Sequence, residues 1–212
     1  MLAEFYDRHV LPYMIDFACG MKAMARQRGK LVPKASGNVL EIGIGTGLNM
    51  RFYDRQKVSS LIGLDPAVHM HRLARRRIEE AGLSVELLGL SANTIPLPDS
   101  SIDTIVMTYT LCTIPDPVPA LKEMRRVLKP EGKLLYLEHG KAPDDNVHRM
   151  QNRLQPVWGK FSGGCHLGRD IPALLKAAGF LTADLEQMYV PGPRVFTYNY
   201  WGSAYSDTPA DA

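Results

Sequence analysis

Cys112, Glu138, His139, Cys165 and His166 carry much of the chain's potential side-chain chemistry. Thiols, imidazoles and a carboxylate can exchange protons near neutral pH, and the same residue types bind zinc. Structural zinc sites use tighter pairs than these, and neither Cys112 nor Cys165 has a C-x-x-C partner. No metal is therefore expected. Cys112 and Cys165 are expected to line a substrate pocket, and His139 is the best-placed base. A quieter role for His139, ordering Glu138 or a loop, stays open.

A second set of residues lies upstream. A short apolar run ends in Gly43, Gly45 and Gly47, which alternate with Ile44 and Thr46. Glycine permits a tight turn and lets a ligand lie against the backbone. The pattern is G-x-G-x-G rather than the dinucleotide fingerprint G-x-G-x-x-G. Glu41 stands two residues before it, where a pyrophosphate would not favour an acid. The turn is expected to open a helix, with Thr46 and Asn49 capping it or meeting a ligand's carboxylate. Asp65 follows Gly45 by 20 residues and ends a second apolar run. That spacing suits a carboxylate that accepts hydrogen bonds from both ribose hydroxyls of a nucleotide.

These glycines, with Glu41 and Asp65, resemble motif I and the second acidic position of the class I S-adenosylmethionine-dependent methyltransferases. Residues 92–98 and 99–107 resemble that family's adenine-side loop and fourth strand. Residues 121–132 are similar to its helix and turn before strand five. The resemblance covers roughly residues 38–140. It implies S-adenosylmethionine as cofactor and S-adenosylhomocysteine as product. The positions it marks for the cofactor are Glu41, Gly43, Gly45, Gly47, Asn49, Asp65, Pro66, Met70, Ser91, Ala92, Asn93, Thr108 and Leu111. The family commonly has an acid at 91 or 93; here Ser91, Asn93 or neither meets the adenine amino group, while the Ala92 N–H can still serve adenine N1.

A narrower resemblance rests on Leu111-Cys112, Glu138-His139 and Gly164-Cys165. These are similar to the membrane-associated alkyl thiol methyltransferases of animals. They imply a small nonpolar thiol as acceptor. A phospholipid amine, another small N- or O-acceptor, or a non-catalytic cofactor-binding module remain as alternatives. The Asn/Asp-Pro-Pro-aromatic signature of amino-directed nucleic-acid enzymes is missing after strand four.

The elements that must position these residues follow from the pattern of apolar runs. An α/β fold is expected: a Rossmann-like seven-stranded sheet flanked by helices, with its last strand antiparallel. Residues 1–36 read as a helical cap of one or two helices within the same domain. Tyr6 and Tyr13 are candidate substrate-wall residues there, and Lys22, Arg26, Arg28, Lys30 and Lys34 form a polar basic side. Residues 37–202 form the methyltransferase domain, and 203–212 read as a frayed tail. Strands are expected at 85–90, 102–107, 133–137, 181–189 and 195–201, with helices at 67–81, 118–128, 147–158 and 169–178.

The chain has 212 residues and a formal net charge of +3, too little to argue for nucleic acid. Its three cysteines form no disulfide framework and suit a reducing compartment. Glu4 and Asp7 interrupt any signal-peptide pattern, and no stretch approaches a membrane span. A small-molecule substrate in the cytoplasm is expected, with peripheral inner-membrane contact through the basic amphipathic start as a further option.

Overall fold

Val39, Leu40 and Ile42 are all buried, so the first strand has protein on both faces and must lie centrally in a parallel sheet. The computed structural model describes residues 2–206. Its seven strands are β1 (Gly37–Ile42), β2 (Val58–Leu64), β3 (Val85–Leu88), β4 (Ile102–Thr108), β5 (Leu128–His139), β6 (Phe180–Tyr189) and β7 (Tyr198–Ser206). They lie in the order β3-β2-β1-β4-β5-β7-β6. β7 runs antiparallel to both neighbours, and the pairs among β1 to β5 are parallel. This is the sheet expected from the sequence.

Helices cover both faces. The chain begins with α1 (Leu2–His9), α2 (Leu11–Gly20) and α3 (Lys22–Leu31), followed later by α4 (His71–Ala81), α5 (Pro117–Val127), α6 (Asp145–Phe161), α7 (Ile171–Ala177) and α8 (Arg194–Thr197). On one face Leu40, Ile42, Ile105 and Met107 pack with Leu121 and Met124 of α5 and Leu175 of α7. On the other, Val39, Leu61, Val106 and Leu135 pack with Leu31 of α3 and Ala74 and Ile78 of α4. α5 presents apolar residues at helical spacing to its sheet face and begins with Pro117, whose fixed φ suits a first turn.

Several boundaries differ from expectation for local reasons. The cap holds three helices, because Met21 adopts an extended backbone (ψ 149°) between α2 and α3. The glycine turn opens no α-helix; between β1 and β2 the helical turn is a 3-10 turn, Met50–Phe52. Gly45 and Gly47 have φ of 53° and 79°, left-handed values that interrupt a right-handed run. After Asp65-Pro66 a 3-10 turn, Val68–Met70, precedes α4, because the Asp65 side chain accepts the Ala67 N–H and bends the chain there. β5 starts at Leu128, ahead of the strand expected from 133. Residues 194–197 form the short α8, so β7 begins three residues later than expected. Ser203 is not frayed: its Oγ donates to Asp184 at 2.8 Å within β7, which runs to Ser206. Residues 207–212 of the expected tail lie outside the described residues.

Candidate active site

The carboxyl ends of β1, β2, β4 and β5 face one mouth, as chemistry in an open α/β sheet requires. At β1, the backbone makes room. A Cβ on Gly43 would come within 2.2 Å of Thr110 Oγ1, so the missing side chain lets the end of β4 approach. At Gly45 the reverse holds: a Cβ there would meet nothing nearer than 3.8 Å, with Asp65 Oδ2 at 3.9 Å and Met70 Sδ at 4.0 Å. This uncrowded approach to the backbone, beside an acid and a thioether, suits a nucleoside lying against the turn. Asp65 is fixed by accepting Gly45 N–H at 2.9 Å on Oδ2 and Ala67 N–H at 2.8 Å on Oδ1. Each oxygen keeps a lone pair for a sugar hydroxyl.

Beneath the turn lies a buried polar network. Glu41 accepts from Tyr53 Oη at 2.7 Å and from Asn49 Nδ2 at 3.0 Å. Asn49 Nδ2 also donates to Thr108 Oγ1 at 3.0 Å. Arg28, 4% exposed, donates from Nη1 to Asn49 Oδ1 at 2.8 Å and to Thr108 Oγ1. Its guanidinium lies over the Tyr109 ring, 5.0 Å from the centroid. Arg28 Nε is buried with no partner among the described residues. Burial pushes the Glu41 carboxyl up to about 7, against the lowering effect of Tyr53, Arg28 and Asn49. A buried cation with a spare donor, beside Asn49 and Thr108, is suited to a ligand carboxylate.

Arg28 was placed by sequence on the basic, solvent-facing side of the cap, and the structure reverses this. Its spacing from Met24 and Leu31, at i−4 and i+3, puts it on the buried face of α3. That periodicity was the signal available. Thr46 neither caps a helix nor faces the turn's free space: its hydroxyl donates to Asp16 Oδ1 at 2.6 Å, tying the turn to α2.

The other cofactor positions divide. Met70 and Ala92 are buried, whereas Pro66, Ser91 and Asn93 are exposed. Ser91 Oγ accepts the Asn93 N–H at 3.3 Å, so these two side-chain positions form their own turn. Leu111 packs its side chain in the main core, and only its backbone faces the β4–β5 loops.

At the ends of β4 and β5 the fold gathers distant residues. Glu138, fully buried, accepts the N–H groups of Thr110 at 2.8 Å and Leu111 at 3.0 Å. This holds the loop after β4, where Tyr109 takes a left-handed φ of 54° and donates its hydroxyl to Asn199 Oδ1 at 2.7 Å. Sequence reasoning missed Tyr109, since nothing in its local pattern signals positive φ. The loop in turn presents Cys112. Cys165 comes from the loop after α6, which is pinned by Gln155 donating to Cys165 O at 2.9 Å and by His166 N–H donating to Cys112 O at 2.8 Å.

Cys112 Sγ, Cys165 Sγ and a ring nitrogen of His139 all lie within 4.8 Å of one another. His139 Nε2 is 3.1 Å from Cys165 Sγ. The hydrogen bond from Cys112 holds the Cys165 thiol well below the usual range, and the same bond pushes Cys112 up. Burial would lower His139, but the Cys165 sulfur and Glu138 outweigh it and raise it. His166 is exposed and stands outside this cluster.

The expectation of no metal rested on sequence spacing, a ground that the fold removes, because three donors converge. His139 Nδ1, however, is buried without a partner among the described residues. A metal-bound histidine is ordinarily oriented by a hydrogen bond at its second nitrogen. The arrangement is better suited to moving a proton. Tyr6 reaches the end of α6, just before the loop that carries Cys165, whereas Tyr13 faces α4. Tyr6 Oη donates to Phe161 O at 2.7 Å, and Tyr13 Oη accepts from Arg72 at 3.0 Å.

With this geometry in view, the relatives are informative. A family model described as a methyltransferase domain matches residues 40–136. A thiol S-methyltransferase of Rattus norvegicus is 35% identical over 153 residues, which are 70% of this chain and 62% of that protein. A phosphatidylethanolamine N-methyltransferase of Cereibacter sphaeroides is 31% identical over 163 residues, covering 74% of this chain and 79% of that one. A solved Leishmania major structure described as a SAM-dependent methyltransferase superposes with a TM-score of 0.69 at 20% identity, covering 96% and 81% of the two chains. At that identity it shows the shared fold. The chain belongs to the class I S-adenosylmethionine-dependent methyltransferases. It spans about three fifths of the length of the rat relative.

Proposed function

We propose that this chain transfers the methyl group of S-adenosylmethionine to a small nonpolar thiol and releases S-adenosylhomocysteine. The observation that carries this reading is the Cys112–His139–Cys165 cluster at the carboxyl ends of β4 and β5. When bound, the cofactor supplies a methyl on a sulfonium; the acceptor sulfur forms the new S–C bond as the methyl–sulfonium bond breaks, and that electron pair stays on the cofactor sulfur. The chain's own residues do the rest. Asp65 would hold the sugar, and Arg28, Asn49 and Thr108 would receive the carboxylate end. Glu138 fixes the loop that carries Cys112. His139 Nε2 takes the acceptor's proton when the ring is neutral, a form that its raised value shifts toward higher pH, so that a thiolate rather than a thiol meets the methyl group. Two buried sulfurs give the mouth a soft, polarizable lining suited to a sulfur acceptor. The thiol S-methyltransferase relative supports the same acceptor class.

The test is methyl transfer from labelled S-adenosylmethionine to a panel of small alkyl thiols, phenols and phosphatidylethanolamine vesicles. Label is expected in the thioether products. Label confined to lipid amine or phenol, with no thioether formed, would overturn the thiol reading.

A further inference from the structure

α6 carries its apolar residues on the wrong side for a helix whose task is to pack on the sheet. Met150, Leu154, Val157 and Phe161 recur at i, i+4, i+7 and i+11, one helical stripe, and all four are exposed, Val157 to 61%. α2 repeats the pattern. Tyr13, Met14 and Phe17 are exposed, Phe17 to 78%, and so is Met21 just beyond the helix. Single exposed apolar residues are ordinary, but two neighbouring stripes call for an occupant.

The stripes adjoin. Tyr6 of α1 donates to Phe161 O at the end of α6, and a Cβ on Gly163 would lie 3.2 Å from Leu11 of α2. The surrounding charge is mostly positive; the acids beside it are Asp7 on α1 and Glu80, which pairs with Arg76. Arg149, Arg153 and Lys160 are exposed on α6, and residues 146–161 contain no acid. Lys22 and Arg26 are exposed on α3, and residues 17–40 likewise contain none. The one acid within α2, Asp16, is taken by Arg77. Apolar side chains flanked by an excess of cations match the interface of an anionic bilayer, where chains meet acyl tails and lysines and arginines meet headgroup phosphates. No helix of the described residues is long and apolar enough to cross a membrane, so the contact would be with the surface.

We infer that the α2–α6 face docks on an anionic phospholipid surface. The loop bearing Cys165 follows α6 directly, so docking sets the acceptor end of the site beside the bilayer, where nonpolar molecules concentrate. The inference does not depend on which atom is methylated.

Flotation with vesicles tests it directly, using the full chain. Phosphatidylcholine vesicles containing phosphatidylglycerol are expected to carry the protein up, and pure phosphatidylcholine vesicles to carry much less. Val157→Glu and Phe17→Glu are each expected to weaken binding roughly tenfold, and Arg149→Glu with Arg153→Glu by a similar factor that added salt abolishes. Unchanged S-adenosylmethionine affinity in each variant serves as the folding control. The inference is overturned if anionic vesicles leave the protein behind, or if these variants float as the parent does. It is equally overturned if Phe17→Glu and Val157→Glu convert a dimer to a monomer in sedimentation while vesicle binding stays absent, since the face would then pair two copies of the chain.

Discussion

Arg77 of α4 grips Asp16 of α2 with two nitrogens, at 2.5 Å and 3.0 Å, and also donates to Thr46 O at 2.8 Å. One guanidinium thus joins the N-terminal cap, the glycine turn and the helix that follows Asp65. Burial pushes the Asp16 carboxyl up, but the hydrogen bonds from Arg77 and Thr46 outweigh it and hold it below its ordinary value. Arg77→Ala should cost about 1–2 kcal/mol of stability, at the upper end for a half-exposed pair because a backbone carbonyl also loses its donor. It should also weaken S-adenosylmethionine several-fold by loosening the turn. Thermal melts and calorimetry read the two effects; unchanged values in both would show that the cap is held some other way.

Arg28 gives a sharper test. If its guanidinium receives the cofactor's carboxylate, Arg28→Ala should weaken S-adenosylmethionine roughly 10–100-fold, the range for a lost hydrogen bond to a charged group. 5′-Methylthioadenosine has no carboxylate, and its affinity should barely change. Equal losses for both ligands would mean that Arg28 supports the fold and not the ligand.

Glu41 makes apo-protein stability depend on pH. Its carboxyl is pushed up to about 7 in the folded chain, above the ordinary glutamate value near about 4.3. The folded state therefore binds a proton that the unfolded state has released across this window. The contribution is fully present below the unfolded value and is lost as pH rises through 7. Glu41→Gln keeps a carbonyl acceptor for Tyr53 and should make this dependence shallower, leaving the share of Glu138, which burial likewise pushes up to about 7. Denaturant melts from pH 4.5 to 8 with identical slopes in parent and variant would contradict it.

For the thiol reading, His139→Ala should lower turnover roughly 10²–10⁴-fold, the usual yield of a positioned proton acceptor. S-adenosylmethionine affinity should be retained, because the pair contacts the acceptor side. The loss should shrink as pH approaches the acceptor's own pKa, where the thiolate forms unaided. A pH–rate profile parallel to that of the parent would remove His139 from proton transfer.

The glycine turn, Asp65 and the sheet were legible because each depends on local rules: glycine's freedom, strand-long apolar runs and a fixed spacing. The buried role of Arg28 was partly legible, from its helical phase with Met24 and Leu31. Cys112 and Cys165 were expected in one pocket, but spacing could not give their close approach to each other and to His139, which depends on how the loop after α6 folds back over β4. The missing helix after the turn was misread for a related reason. Gly45 and Gly47 adopt left-handed values that serve the ligand's space and α4 packing, at the expense of helix propagation. The exposed stripe on α6 has the same period as a core-facing one, so periodicity alone could not tell which way it points.

The most direct measurement is a crystal structure with S-adenosylhomocysteine and a small thiol bound. The ribose hydroxyls are expected on Asp65, the carboxylate at Arg28, and the two ligand sulfurs facing each other beside Cys112, His139 and Cys165. A cofactor sulfur turned away from that cluster, or a sugar held without Asp65, would contradict the assignment.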